Sequence, residues 1–112
     1  RPLRAAAGPD MVIELIGRRA ELFERIAPLQ RAAVTLRHRS SFLAAAHEQF
    51  VLGLRARLVE TLPAAIRAQP LSVEALDLLM SFEAWTRLRR EQRLSREQAC
   101  AVVEAAVRRL IA

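Results

Sequence analysis

Apolar residues recur at every third or fourth position along almost the whole chain. That spacing is the signature of helices with one buried face. Val12, Ile16, Phe23 and Ile26 form the first stripe, with Ile13, Leu15 and Leu22 beside it. Leu43, His47, Phe50, Leu54, Leu58 and Leu62 form a longer one. Ala75, Leu78, Leu79, Phe82, Trp85 and Leu88 form a third. Ala99, Val102, Val103, Ala106, Val107, Leu110 and Ile111 form the last. No stretch alternates apolar and polar residues between turn signals, as a strand would. The expected fold class is all-α, a five-helix bundle-like domain. At 112 residues the chain has the length of one domain.

Helix boundaries follow from proline, glycine and serine. Gly8-Pro9 breaks the chain before the first helix, and Asp10 is the expected cap. Pro28 lacks an N–H and clashes with a continuing helix, so the first helix is expected to end or kink near Ala27. A short second helix then runs from Pro28 to about Arg37, with proline tolerated in its first turn. Ser40 or Ser41 caps the third helix, which continues to Pro63. Ser72 caps the fourth, and Leu71 with Leu76 makes a hydrophobic staple. Ser95, with Gln98 three residues on, spells a capping box for the fifth.

Chemistry-bearing motifs are missing. There is no glycine-rich phosphate loop and no paired cysteine motif. His38 and His47 are nine residues apart, so they do not share a helix face as a zinc-binding pair would. Cys100 is the only cysteine and reads as a small buried residue. It excludes an intrachain disulfide and suits a reducing compartment, so the expected location is cytoplasmic. No apolar run reaches the roughly 18 residues of a membrane span. An enzyme, a cofactor and a metal are not expected.

The net charge is +6, and all 18 cationic side chains are Arg. Such a charge attracts polyanions non-specifically. Arg18-Arg19, Arg89-Arg90 and Arg108-Arg109 each diverge by about 100° around a helix, so a pair does not make a patch. They read as solvated helix edges. The last helix is too apolar to read DNA, because a recognition helix needs an exposed polar face. Its stripe and that of the helix before it exceed what one thin layer can cover. Joined by a short turn at Gln92 to Leu94, the two make an αα-hairpin. Two such hairpins can close a dimeric four-helix bundle across a two-fold axis. The expected homodimer runs through residues 74–111. His47, on the inner stripe, reads either as a core histidine or as a polar contact inside an apolar pocket.

The run Phe82-Glu83-Ala84-Trp85-Thr86-Arg87-Leu88-Arg89, then Leu94-Ser95 and Ala99, then a helix ending Arg108-Arg109-Leu110-Ile111, resembles the C-terminal end of TetR-type transcriptional repressors. The Phe23…Pro28…Arg31-Ala32-Ala33 segment and the long helix after Ser41 resemble the regulatory domain of the same family. The resemblance extends from about Asp10 to the end. It implies that residues 10–112 bind a small apolar effector and homodimerise. It implies that residues 1–9 are a linker remnant and that an N-terminal helix-turn-helix domain is absent from this stretch. DNA would be touched only through that missing domain. A chain that opens Arg1-Pro2-Leu3-Arg4 with no initiator Met is expected to be a piece of something longer.

The resemblance also implies site residues. Phe23, Ile26, His47, Phe50, Leu54, Leu79 and Phe82 would line the effector pocket. Trp85, Leu88, Val103, Ala106, Val107 and Leu110 would form the dimer interface. Arg93 stands where the family often has Gly before Leu-Ser, so the turn there is expected to differ. The other open reading is a helical protein-protein interaction module with no ligand pocket. An enclosed cavity of about 300 Å³ or more favours the first, and a tightly filled core the second.

Overall fold

Helix α1 spans Pro9–Leu36, and the structure, a computed structural model, describes residues 8–112. All of the expected linker remnant except Gly8 and Pro9 lies outside the described residues. Gly8, at φ 70°, is the N-cap and Pro9 opens the first turn. Asp10 falls inside that turn, where it complements the helix dipole instead of capping it. Of the two expected outcomes at Pro28, an end or a kink, the end does not occur; α1 runs through it to Leu36. Pro28 is exposed, and it leaves the Glu24 carbonyl four residues back without its helical donor. The expected short second helix is therefore the far end of α1.

Helix α2 spans Ser41–Thr61, and the Ser40 hydroxyl caps it by accepting from the Leu43 N–H at 3.2 Å. After Pro63 comes the single turn α3, Ala64–Arg67, and then α4, Pro70–Leu79. Gln69 rather than Ser72 is the N-cap of α4, and Leu71 is exposed, so no staple forms with Leu76. The expected fourth helix is broken at Met80–Ser81. Ser81 starts α5, Phe82–Thr86, by accepting from the Ala84 N–H at 3.1 Å. Helix α5 passes directly into a π-helical turn, Arg87–Glu91, where Gln92 N–H donates to the Arg87 carbonyl. Helix α6, Arg96–Ile111, opens on the expected capping box, with both the Ser95 and the Gln98 bonds formed. No strand occurs among the described residues, and the fold is all-α.

Arg93 adopts the left-handed conformation, at φ 58°, that glycine would take without cost. The turn is thus kept and the side chain carries the strain. Arg93→Gly is expected to stabilise the chain by about 0.5–1 kcal/mol. A rise in Tm of roughly 3–6 °C would register it.

The core collects Val12, Ile16, Phe23, Leu58, Leu76, Trp85, Val103 and Val107 with their neighbours. Helix α6 packs chiefly against α1 and also against α4. The far half of α1 and the near half of α2 have no core beneath them. No residue between Glu24 and Arg57 is fully buried, and Leu29, Leu36, Phe42 and Leu52 are exposed on this hairpin. Among the described residues no helix is long and apolar enough to cross a membrane.

Candidate functional site

The seven expected pocket residues do not converge on one cavity. Phe23 and Phe82 are buried and meet edge to face, ring centres 5.4 Å apart, so they fill the core. Ile26 is half-buried against that core. Leu79 lines a crevice of about 10 Å³ together with Arg19, Met80 and Ser81. That space holds at most a single water. Phe50 and Leu54 line a larger open groove of about 360 Å³ between α2, α4 and the start of α5. Val51 and Leu78 extend its apolar wall, and Glu74, Asp77, Ser81 and Glu83 supply polar groups.

His47 sits outside that groove, half-buried, beside Leu43, Ala46 and Arg37. Arg37 Nη1 lies 2.8 Å from His47 Nδ1. A guanidinium can only donate, so Nδ1 accepts and the ring proton sits on Nε2. Nε2 faces Glu83 Oε2 at 3.8 Å. His47 therefore links the α1–α2 hairpin to α5 and is not a core histidine; it lines a separate open groove of about 220 Å³ with Leu29, Ala33, Arg37 and Leu43.

The groove is framed by charge. Arg55 on α2 donates from Nη1 and Nη2 to the two Glu74 oxygens, at 2.8 and 2.7 Å. Nη1 also donates to Asp77 Oδ2 at 3.1 Å. This fork holds α2 against α4, and it keeps the Glu74 carboxyl below the usual carboxylate range. Below the groove, Arg19 is buried at the meeting of α1, α2 and the α4–α5 break. Nη1 donates to the Met80 carbonyl at 3.0 Å and Nη2 to the Leu54 carbonyl. Nε has no partner.

A second charged cluster locks α1 to the π-helical turn. Glu24 accepts from Arg89 Nη2 at 2.8 Å, Arg89 Nε at 3.1 Å and Trp85 Nε1 at 2.8 Å. Arg89 Nη1 also reaches the Leu94 carbonyl. The Arg89 hydrogen bonds, followed by that of Trp85, hold the Glu24 carboxyl low. Its stabilisation is present above the unfolded carboxylate pKa, about 4.3, and is lost as pH falls through the lower folded value. Glu24→Gln is expected to cost about 1.5 kcal/mol at pH 7. In urea titrations the difference from the native chain should shrink below about pH 4.

Arg19 and Arg89 correct the reading of the arginine pairs as solvated edges. Arg18 does follow it in part, pairing with Glu14 at 3.5 Å, and Arg108 pairs with Glu104 at 2.8 Å. Sequence reasoning also missed Glu24 and Arg55, because their partners are distant in the chain. Arg19 did carry a signal. It occupies the apolar stripe of α1, three residues after Ile16 and four before Phe23.

Of the expected interface residues, Trp85, Leu88, Val103 and Val107 point into the core of this single chain. Ala106 and Leu110 are half-buried. The outward face of α6 carries Ala101, Val102 and Ala105 instead. Cys100 is half-buried, and burial pushes its thiol pKa up, away from a reactive thiolate. No cluster of three or more His, Cys, Asp or Glu suited to a metal occurs among the described residues. Comparison with protein-family models, with curated proteins and with solved structures finds no match to this chain.

Proposed function

We propose that this chain is the regulatory domain of a TetR-type transcriptional regulator. It binds a small, largely apolar effector, pairs with a second copy, and passes the binding event to a DNA-reading domain on the same polypeptide. It performs no catalysis. The observation that carries this reading is the groove walled by Phe50, Val51, Leu54 and Leu78. The groove is open rather than enclosed, and its volume of about 360 Å³ gives room for a small molecule laid along that apolar wall. Its walls belong to different helices, joined by the Arg55 fork and by Arg19. A ligand that fits one arrangement of those helices better than another shifts their population. Pairing is assigned to the outward face of α6, where Ala101, Val102 and Ala105 allow a close helix approach.

The groove is tested with Nile red, a neutral apolar dye, by fluorescence titration. Saturable binding is expected, and Leu78→Arg should abolish it. Leu78 is 67% exposed, so the substitution leaves the fold intact. Dye binding that is absent, or indifferent to Leu78→Arg, would overturn the groove as the effector site.

A second reading is favoured by two specific observations. The crevice in the core measures only about 10 Å³, and the α1–α2 hairpin exposes Leu29, Leu36 and Phe42 with nothing buried behind them. A plain interaction module would use that hairpin to hold a partner. In that case Phe42→Ser abolishes association with the partner while Leu78→Arg changes nothing.

A further inference from the structure

Arg19 is a charge in an apolar place. It is 4% exposed, and both of its hydrogen-bond partners are neutral carbonyls. Burial lowers its pKa to about 10 even with the field of Asp77 opposing, so it stays charged at neutral pH. A buried guanidinium with no contacting carboxylate and an unpartnered Nε is costly to keep.

The two carbonyls that hold it occupy special places. Met80 is where α4 stops. Leu54 belongs to the wall of the groove. Ser81 borders both the groove and the crevice that contains Arg19. The unpartnered Nε thus lies behind the groove wall, at the junction of three helices.

We propose that Arg19 anchors the anionic head group of a carboxylate ligand whose apolar tail lies along Phe50, Leu54 and Leu78. This rests on the effector-binding reading and names the class of effector. A carboxylate accepts side-on from Nε and Nη2, the two-pronged geometry that a guanidinium favours. Nη2 is then surrendered by the Leu54 carbonyl, and α2 loses one of its ties to α1. The crevice is too small for a carboxylate as it stands, so binding goes with a displacement of α2 from the α4–α5 break. The rim does not repel the head group with its full acidic charge. Arg55 is shared by Glu74 and Asp77 and offsets one of their two charges, while Glu83, beside the neutral ring of His47, keeps its own.

Isothermal titration with three probes that share a ten-carbon chain tests this: decanoate, 1-decanol and decyltrimethylammonium. Decanoate is expected to bind at least about tenfold more tightly than decanol. Arg19→Gln should bring decanoate down to the decanol level, and Arg19→Lys should recover part of the difference. Should Arg19→Gln fail to fold, the series on the native chain decides alone. Equal binding of decanoate and decanol, or preference for the cation, overturns the anionic head group and leaves the groove as a ligand site. Failure of all three probes to bind overturns both.

Discussion

Val107→Asp is expected to unfold the chain, while Val102→Asp on the same helix leaves it folded. Val107 is 0% exposed and Val102 is 46% exposed. Val107 packs into the apolar core with Val103 and Ile111. An uncompensated buried charge costs about 3–5 kcal/mol, against a total stability of about 5–15 kcal/mol. Far-UV circular dichroism should therefore show helix lost in Val107→Asp and kept in Val102→Asp. The proposed pairing adds a second readout. Light scattering should give twice the chain mass for the native protein and the single-chain mass for Val102→Asp. A folded, dissociated Val107→Asp would place the interface on the other side of α6.

Phe23→Ala carries the other large effect, about 3–5 kcal/mol. Phe23 is among the largest side chains fully removed from water, and its ring abuts Phe82 edge to face. Truncation loses the transferred apolar area and the ring contact, and it leaves a cavity between α1 and α5. The midpoint of urea unfolding should fall sharply with little change in slope. A loss below about 1 kcal/mol would mean that α1 does not anchor the core.

Periodicity made the helical class legible, and serine made the start of α6 legible to the residue and that of α2 to within one residue. Ser95 with Gln98 is the clearest case, because both partners of the capping box lie within one turn. Other boundaries were not legible, among them the caps at Gly8 and Gln69. Pro28 costs α1 a hydrogen bond, but the helical residues on both sides of it carry α1 through. Ser81 interrupts an apolar stripe that runs on in register from Leu79 to Phe82, so the break is invisible to spacing.

The direction of burial was legible only in part. The stripe Ala99, Val103, Val107 and Ile111 shows that α6 buries one face. It does not say whether α1 or a second copy covers it. The structure answers with α1 for these residues. Phe50 and Leu54 are expected at a pocket only through the resemblance; they lie one turn apart on α2 and line the open groove. Arg19 reads as a solvated edge, although its spacing from Ile16 and Phe23 places it on the inward face of α1. Its unpartnered state depends on α2 and on the α4–α5 break, neither of which is local to it.

The regulatory-domain reading is tested most directly by the coding DNA upstream of Arg1. Roughly 50 to 70 in-frame codons are expected there, encoding three short helices with a helix-turn-helix among them. A start codon immediately before Arg1 would contradict the reading and leave a helical interaction module in its place.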